Sequence, residues 1–185
     1  SESDQSVNIS VEMEKAQKIS IESDVKGIFF QDNNLIYADD DFGVKCVDTS
    51  GETIWQCEIP GGVSLLKKCQ DFIAVVDNLG RLSTLSHHGN SLKSFDQFTS
   101  IIMISPYSNG VIVVLESGSV HFFDGQHSVW NRPARGEVGE SITNVGLTAE
   151  NKLIIGREGY ALVPGEEEAL ELEVWDVTQD SMLFR

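Results

Sequence analysis

The residues of this chain with the most chemical potential are carboxylates, histidines and a few clustered charges. Asp39, Asp40 and Asp41 form an unbroken acidic run just ahead of Gly43. A calcium loop sets oxygen ligands at alternating positions, with a glycine at the sixth and a distal glutamate. Only Asp39 and Asp41 fit that spacing, so a solvated acidic turn is expected. Four histidines, His87, His88, His121 and His127, fall in two successive segments. Equivalent packing of those segments would bring His88 and His127 near each other. A metal site would still need a further ligand and groups that orient the imidazoles. Neither is legible, and no metal is expected.

Signatures of catalysis are missing. The sequence has no GxSxG, no P-loop, no HExxH, and no GxGxxG between a strand and a helix. No catalytic or cofactor-binding residue is assigned, and an enzyme is not expected. Two charged segments remain: NRPARGEVGES (131–141) offers Arg132 and Arg135, and REGYALVPGEEEAL (157–170) offers Glu166, Glu167 and Glu168 beside Tyr160 and Leu162.

These segments belong to a repeating pattern. LIYADDDFGVKCVDTSGETIW (35–55), FIAVVDNLGRLSTLSHHGNSLK (72–93) and VIVVLESGSVHFFDGQHSVW (111–130) share one order of features. A β-branched run ends in a turn glycine, then come an alternating strand, a polar turn and another apolar strand. The turn glycines Gly43, Gly80 and Gly118 are spaced by 37 and 38 residues, and Trp55 and Trp130 each lie 12 residues after theirs. A looser fourth copy (152–184) carries an insertion ahead of LELEVWD. One further apolar segment precedes each copy: VKGIFF, VSLLKKC, SIIMISP and SITNVGL. Each repeat is thus four short strands of about 40 residues in all, the pattern of a β-propeller blade. A β-sandwich also uses short strands, but it requires no sequence period.

The fold expected is therefore all-β, a propeller of four-stranded antiparallel blades at about 25–60, 61–97, 98–138 and 139–185. Residues 1–24 hold two alternating stretches, VNISVEM and KISIES, which read as the outer strands of a partial blade. Four blades plus a half is an awkward count. It suggests a segment of a larger propeller, or one partner of a propeller built from two chains, with a compact four- or five-bladed molecule as the runner-up; a homo-oligomer is also open. Trp55, Trp130 and Trp175 are expected to pack between blades.

Composition narrows the partners. Of 185 residues, 41% are hydrophobic, enough for a core, and the net charge is −16. Nucleic acid and anionic membrane surfaces are polyanions, so neither is an expected partner. No apolar run approaches the roughly 18 residues of a membrane span, and the opening SESDQSVN does not read as a signal peptide. Cys46, Cys57 and Cys69 are odd in number, form no CxxC pair and sit in strand-like runs. A reducing, cytoplasmic setting is expected.

The run LIYA…GVKCVDTSGETIW resembles the quinoprotein-like (PQQ-like) repeat, with its turn glycine, strand ending in Asp, second turn and tryptophan. LEVWDV (172–177) is similar to the third strand of WD repeats. The second copy departs, with Leu85 in place of Asp and Lys93 in place of Trp. The resemblance implies a propeller. A quinone-dependent enzyme would need a larger ring and a dedicated pocket, for which no residues stand out.

In a propeller, the second-to-third-strand turns and the links between blades emerge on one face. The 131–141 and 157–170 segments would share it, with Asp39, Asp40 and Asp41 nearby. Elaborated loops on a rigid scaffold are a common way to build a binding site. The function expected is a non-catalytic scaffold that binds a protein partner with a basic surface. The alternatives are a quinoprotein-like or other propeller enzyme, and a structural part of a propeller completed elsewhere.

Overall fold

The computed structural model describes residues 25–40, 42–134, 141–150, 152–159, 169–177 and 181–184. The strands expected within 1–24 lie outside the described residues. Among the described residues, sixteen strands form four antiparallel sheets of four, each taken in sequence order from one repeat. Blade 1 is β1 (Val25–Gln31), β2 (Asn34–Asp39), β3 (Gly43–Val47) and β4 (Thr53–Glu58). Blade 2 is β5 (Val63–Lys68), β6 (Ile73–Asp77), β7 (Leu82–Leu85) and β8 (Leu92–Phe95). Blade 3 is β9 (Ile101–Tyr107), β10 (Gly110–Leu115), β11 (Val120–Phe123) and β12 (Ser128–Arg132). Blade 4 is β13 (Ser141–Leu147), β14 (Lys152–Gly159), β15 (Ala169–Asp176) and β16 (Ser181–Phe184).

The local chemistry explains the hairpins. QDNN closes β1 onto β2 with a two-residue turn in which Asp32 and Asn33 both take positive φ, at 49° and 65°. That is the turn geometry matching the twist of the flanking strands, and Asn and Asp tolerate it best after glycine. Gly43 starts β3 at φ 141°, and a Cβ there would stand 2.4 Å from the carbonyl oxygen of Cys57. Only glycine fits that approach.

The core lies between blades. Successive side chains of a strand point to opposite faces, so each central strand serves two neighbours. On β6, Ile73 and Val75 pack toward blade 1, while Ala74 and Val76 pack toward blade 3. On β10, Val111 and Val113 face blade 2, and Ile112 and Val114 face blade 4. Strands buried on both faces read as continuous apolar runs, which is why IAVV and VIVVL lack alternation. The inner strands adjoin in chain order, β1 to β5, β5 to β9 and β9 to β13. Trp55 packs on the first junction, and Trp130 and Trp175 on the third.

Candidate interaction face

The turns between second and third strands share one face with the links between blades, and hydrogen bonds tie them into a rim. Asn78, in the β6–β7 turn, donates through its backbone N–H to the Gly62 carbonyl at 3.2 Å, and through its side-chain amide to that of Gly61 at 2.6 Å. The N–H of Ile101, at the start of β9, reaches the Gly80 carbonyl at 3.1 Å, and that of Glu116 reaches the Ser100 carbonyl at 2.9 Å. The two links that lie within the described residues are therefore held by the turn of their own blade or the next.

The acidic residues that open these turns are structural. Asp39 is buried; its Oδ1 accepts from the N–H groups of Phe42 at 2.7 Å and Gly43 at 3.0 Å. Its Oδ2 lies 3.7 Å from Lys45 Nζ. Asp77 repeats the device, accepting from the N–H groups of Leu79 at 2.9 Å and Arg81 at 3.0 Å, with Arg81 Nε at 2.8 Å from its other oxygen. A carboxylate satisfying two backbone donors in a tight turn is the common Asx-type use of Asp. The expectation of a solvated turn is corrected at Asp39, whose carboxylate is spent on the backbone. Asp40 is at the surface, 3.6 Å from Lys26. Asp41 lies outside the described residues.

Arg132 requires a further correction. Rather than offering its guanidinium to a partner, it is 1% exposed. Its Nε donates to Glu173 Oε1 at 2.9 Å, its Nη2 to Oε2 at 3.0 Å, and its Nη1 to the Gly118 carbonyl at 2.7 Å. Glu173 also accepts from the indole N–H of Trp175. A guanidinium whose planar fork matches a carboxylate in this way leaves few donors unsatisfied at depth. The pair joins the last strand of blade 3 to the third strand of blade 4. Arg135, Tyr160, Glu166, Glu167 and Glu168 lie outside the described residues.

Glu173 was not singled out from the sequence, yet register offered a signal. Paired with the second strand of each blade, Lys45, Ser83, His121 and Glu173 occupy the same position, opposite Tyr37, Val75, Val113 and Ile155. That column is polar in every blade. His121 lies 3.1 Å from Ser119 Oγ, 3.4 Å from Ser128 Oγ, and 5.0 Å ring to ring from Phe98. Burial holds its pKa below the usual histidine value. His87 Nε2 lies 3.0 Å from the Cys69 carbonyl. No cluster of three or more potential metal ligands occurs among the described residues.

The rim presents charged side chains of both signs outward, Arg81 among the basic ones. Glu58, Asp96 and Glu116 are exposed along it, beyond Asp40 and Asp77, which have cationic neighbours. The opposite face carries a cleft of about 460 Å³ between blades 3 and 4, lined in part by Tyr107, Phe122, Asp124 and Trp130. Burial, with Asp124 adding to it, pushes the Tyr107 hydroxyl up to about 12. Tyr107, Phe122, Trp130 and Trp175 form a continuous chain of tilted and edge-on ring contacts with centroid spacings of 4.6, 5.1 and 5.8 Å.

A model of a family of unknown function, DUF5711, matches residues 4–129. The chain belongs to the DUF5711 family. No curated protein matches this DUF5711 chain. Solved structures do, at low identity. BamB from Moraxella catarrhalis is 15% identical with a TM-score of 0.60, covering 88% of the DUF5711 chain and 50% of its own. The dihydro-heme d1 dehydrogenase NirN is 12% identical with a TM-score of 0.63, covering 90% and 38%. The computationally designed protein Ika4 is 13% identical with a TM-score of 0.63, covering 89% and 98%. These likenesses carry the fold, a β-propeller. The DUF5711 chain spans less than half the length of the first structures it resembles, at 44%, 49% and 43%.

Proposed function

We propose that this chain is a non-catalytic propeller scaffold, built of quinoprotein-like repeats, whose acidic rim binds a protein partner with a basic surface. The observation that carries the reading is the division of labour among the rim's charges. Asp39, Asp77 and the Arg132–Glu173 pair are committed to holding turns and blades. Glu58, Asp96 and Glu116 stand exposed beside them, on a chain of net charge −16. Complementary potential of this kind raises association rates and discriminates against anionic partners. The free cysteines suit a reducing, cytoplasmic setting.

Replacing Glu58, Asp96 and Glu116 together by lysine tests it. The probe is a lysine-rich peptide measured by interferometry at low and physiological salt. Wild type should bind, more weakly as salt rises, and the triple variant should lose at least tenfold in affinity with an unchanged melting temperature. Equal binding by both proteins would remove this surface from the proposal.

A further inference from the structure

At the two ends of the row of described blades, particular positions that every internal junction buries are exposed, although Tyr37 and Val174 on the same flanks are 6 and 7% exposed. Register places Ile28, Leu66, Ile104 and Val145 at one position of the innermost strands, opposite Tyr37, Val75, Val113 and Ile155. Leu66, Ile104 and Val145 are 5, 3 and 9% exposed, each pressed against the preceding blade, whereas Ile28 is 58% exposed. Val25 repeats the contrast: it lies open where Val63, Ile101 and Ile142 are buried. The other end behaves alike. Val44, Leu82, Val120 and Leu172 share one position on the third strands, opposite Ala38, Val76, Val114 and Gly156. The first three are fully buried toward the following blade, and Leu172 is 59% exposed.

We infer that the open face of blade 1 and the open face of blade 4 form a head-to-tail interface between two copies of this chain. These are the same two kinds of surface that already mate at each internal junction, so the interface continues one present three times. Isolated exposed apolar residues are ordinary, but uncovered positions that are core in every equivalent blade mark an interaction surface. A head-to-tail contact closes into a ring when the rotation per unit allows it. Four blades cover 50% of BamB and 98% of Ika4, so two copies supply the length of the larger propeller. The faces lie on the flanks, apart from the acidic rim, so this inference stands or falls separately from the rim's.

Sedimentation equilibrium of the 185-residue chain at micromolar concentration tests it. The mass should be twice the 20.4 kDa of one chain, with dimerisation strengthening as salt screens the like charges of the copies. Ile28→Asp and Leu172→Asp should each give a folded monomer that melts cooperatively, lowered only by the lost stabilisation of dimer formation, because both residues are exposed within one chain. Mixing the two variants should restore a dimer, since one junction between them keeps Ile28 and Leu172 intact. A monomeric wild type would overturn the inference. A dimer indifferent to both substitutions, or a mixture that stays monomeric, would overturn it as well.

Discussion

Arg132 and Glu173 meet through two parallel hydrogen bonds of 2.9 and 3.0 Å, both side chains almost wholly removed from water. The pair spans 41 residues of sequence and fastens blade 3 to blade 4. Desolvating two charges costs much of what their attraction returns, so such a pair contributes modestly to net stability. Breaking it is another matter.

Arg132→Ala or Glu173→Ala leaves an uncompensated buried charge and should cost about 3–5 kcal/mol. Replacing both, Arg132→Met with Glu173→Leu, should recover most of that loss. Urea denaturation of the three variants checks the ordering; a double variant as unstable as either single would contradict this account.

Gly43→Ala should destabilise by more than about 1 kcal/mol, because the new Cβ would collide with the Cys57 carbonyl and the φ of 141° disfavours any side chain. Gly146→Ala is the control. A Cβ there meets nothing within 4 Å, so its stability should change by no more than about 0.5 kcal/mol. Thermal melts of the pair suffice.

His121 gives the fold a pH dependence with a definite sign. Burial lowers its pKa from 6.5, so between the two values the unfolded chain binds more protons than the native one. Its contribution is fully present above about pH 6.5 and is lost as pH falls through the lowered native value. His121→Gln should flatten the stability profile in that window. A profile with the same slope in wild type and variant would place the effect elsewhere.

The three thiols should differ in reactivity. Burial pushes Cys69 up to about 12 and raises Cys46 and Cys57 by smaller amounts, with Cys57 the one only partly buried. Thiolate fraction and access govern alkylation. Iodoacetamide at pH 8, followed by peptide mass spectrometry, should modify Cys57 first and Cys69 last.

The blades were legible in the sequence because turn chemistry and apolar runs repeat. Gly43, Gly80 and Gly118 punctuate each copy, and IAVV and VIVVL announce strands buried on two sides. The rim's face was legible too, since it follows from strand order. The roles of particular charges were not. Arg132 sits beside Pro133 in a segment that reads as surface loop, and its partner lies far along the chain inside LELEVWD. Nothing local distinguishes an arginine that seeks solvent from one that seeks a distant carboxylate. Asp39 looked like one of three equivalent acids, although only it opens the turn from within the strand. Pairing partners are set by register across the sheet, which a single sequence encodes only through the whole fold.

The shared central strands have a genetic consequence. Because β6 and β10 divide odd from even residues between two neighbours, losing a single codon within either would transpose both junctions at once, turning side chains shaped for one blade toward the other. Such a deletion should injure the protein more than the same loss from a turn, which leaves the register of both junctions intact. Length variation tolerated by this architecture is therefore confined to the loops.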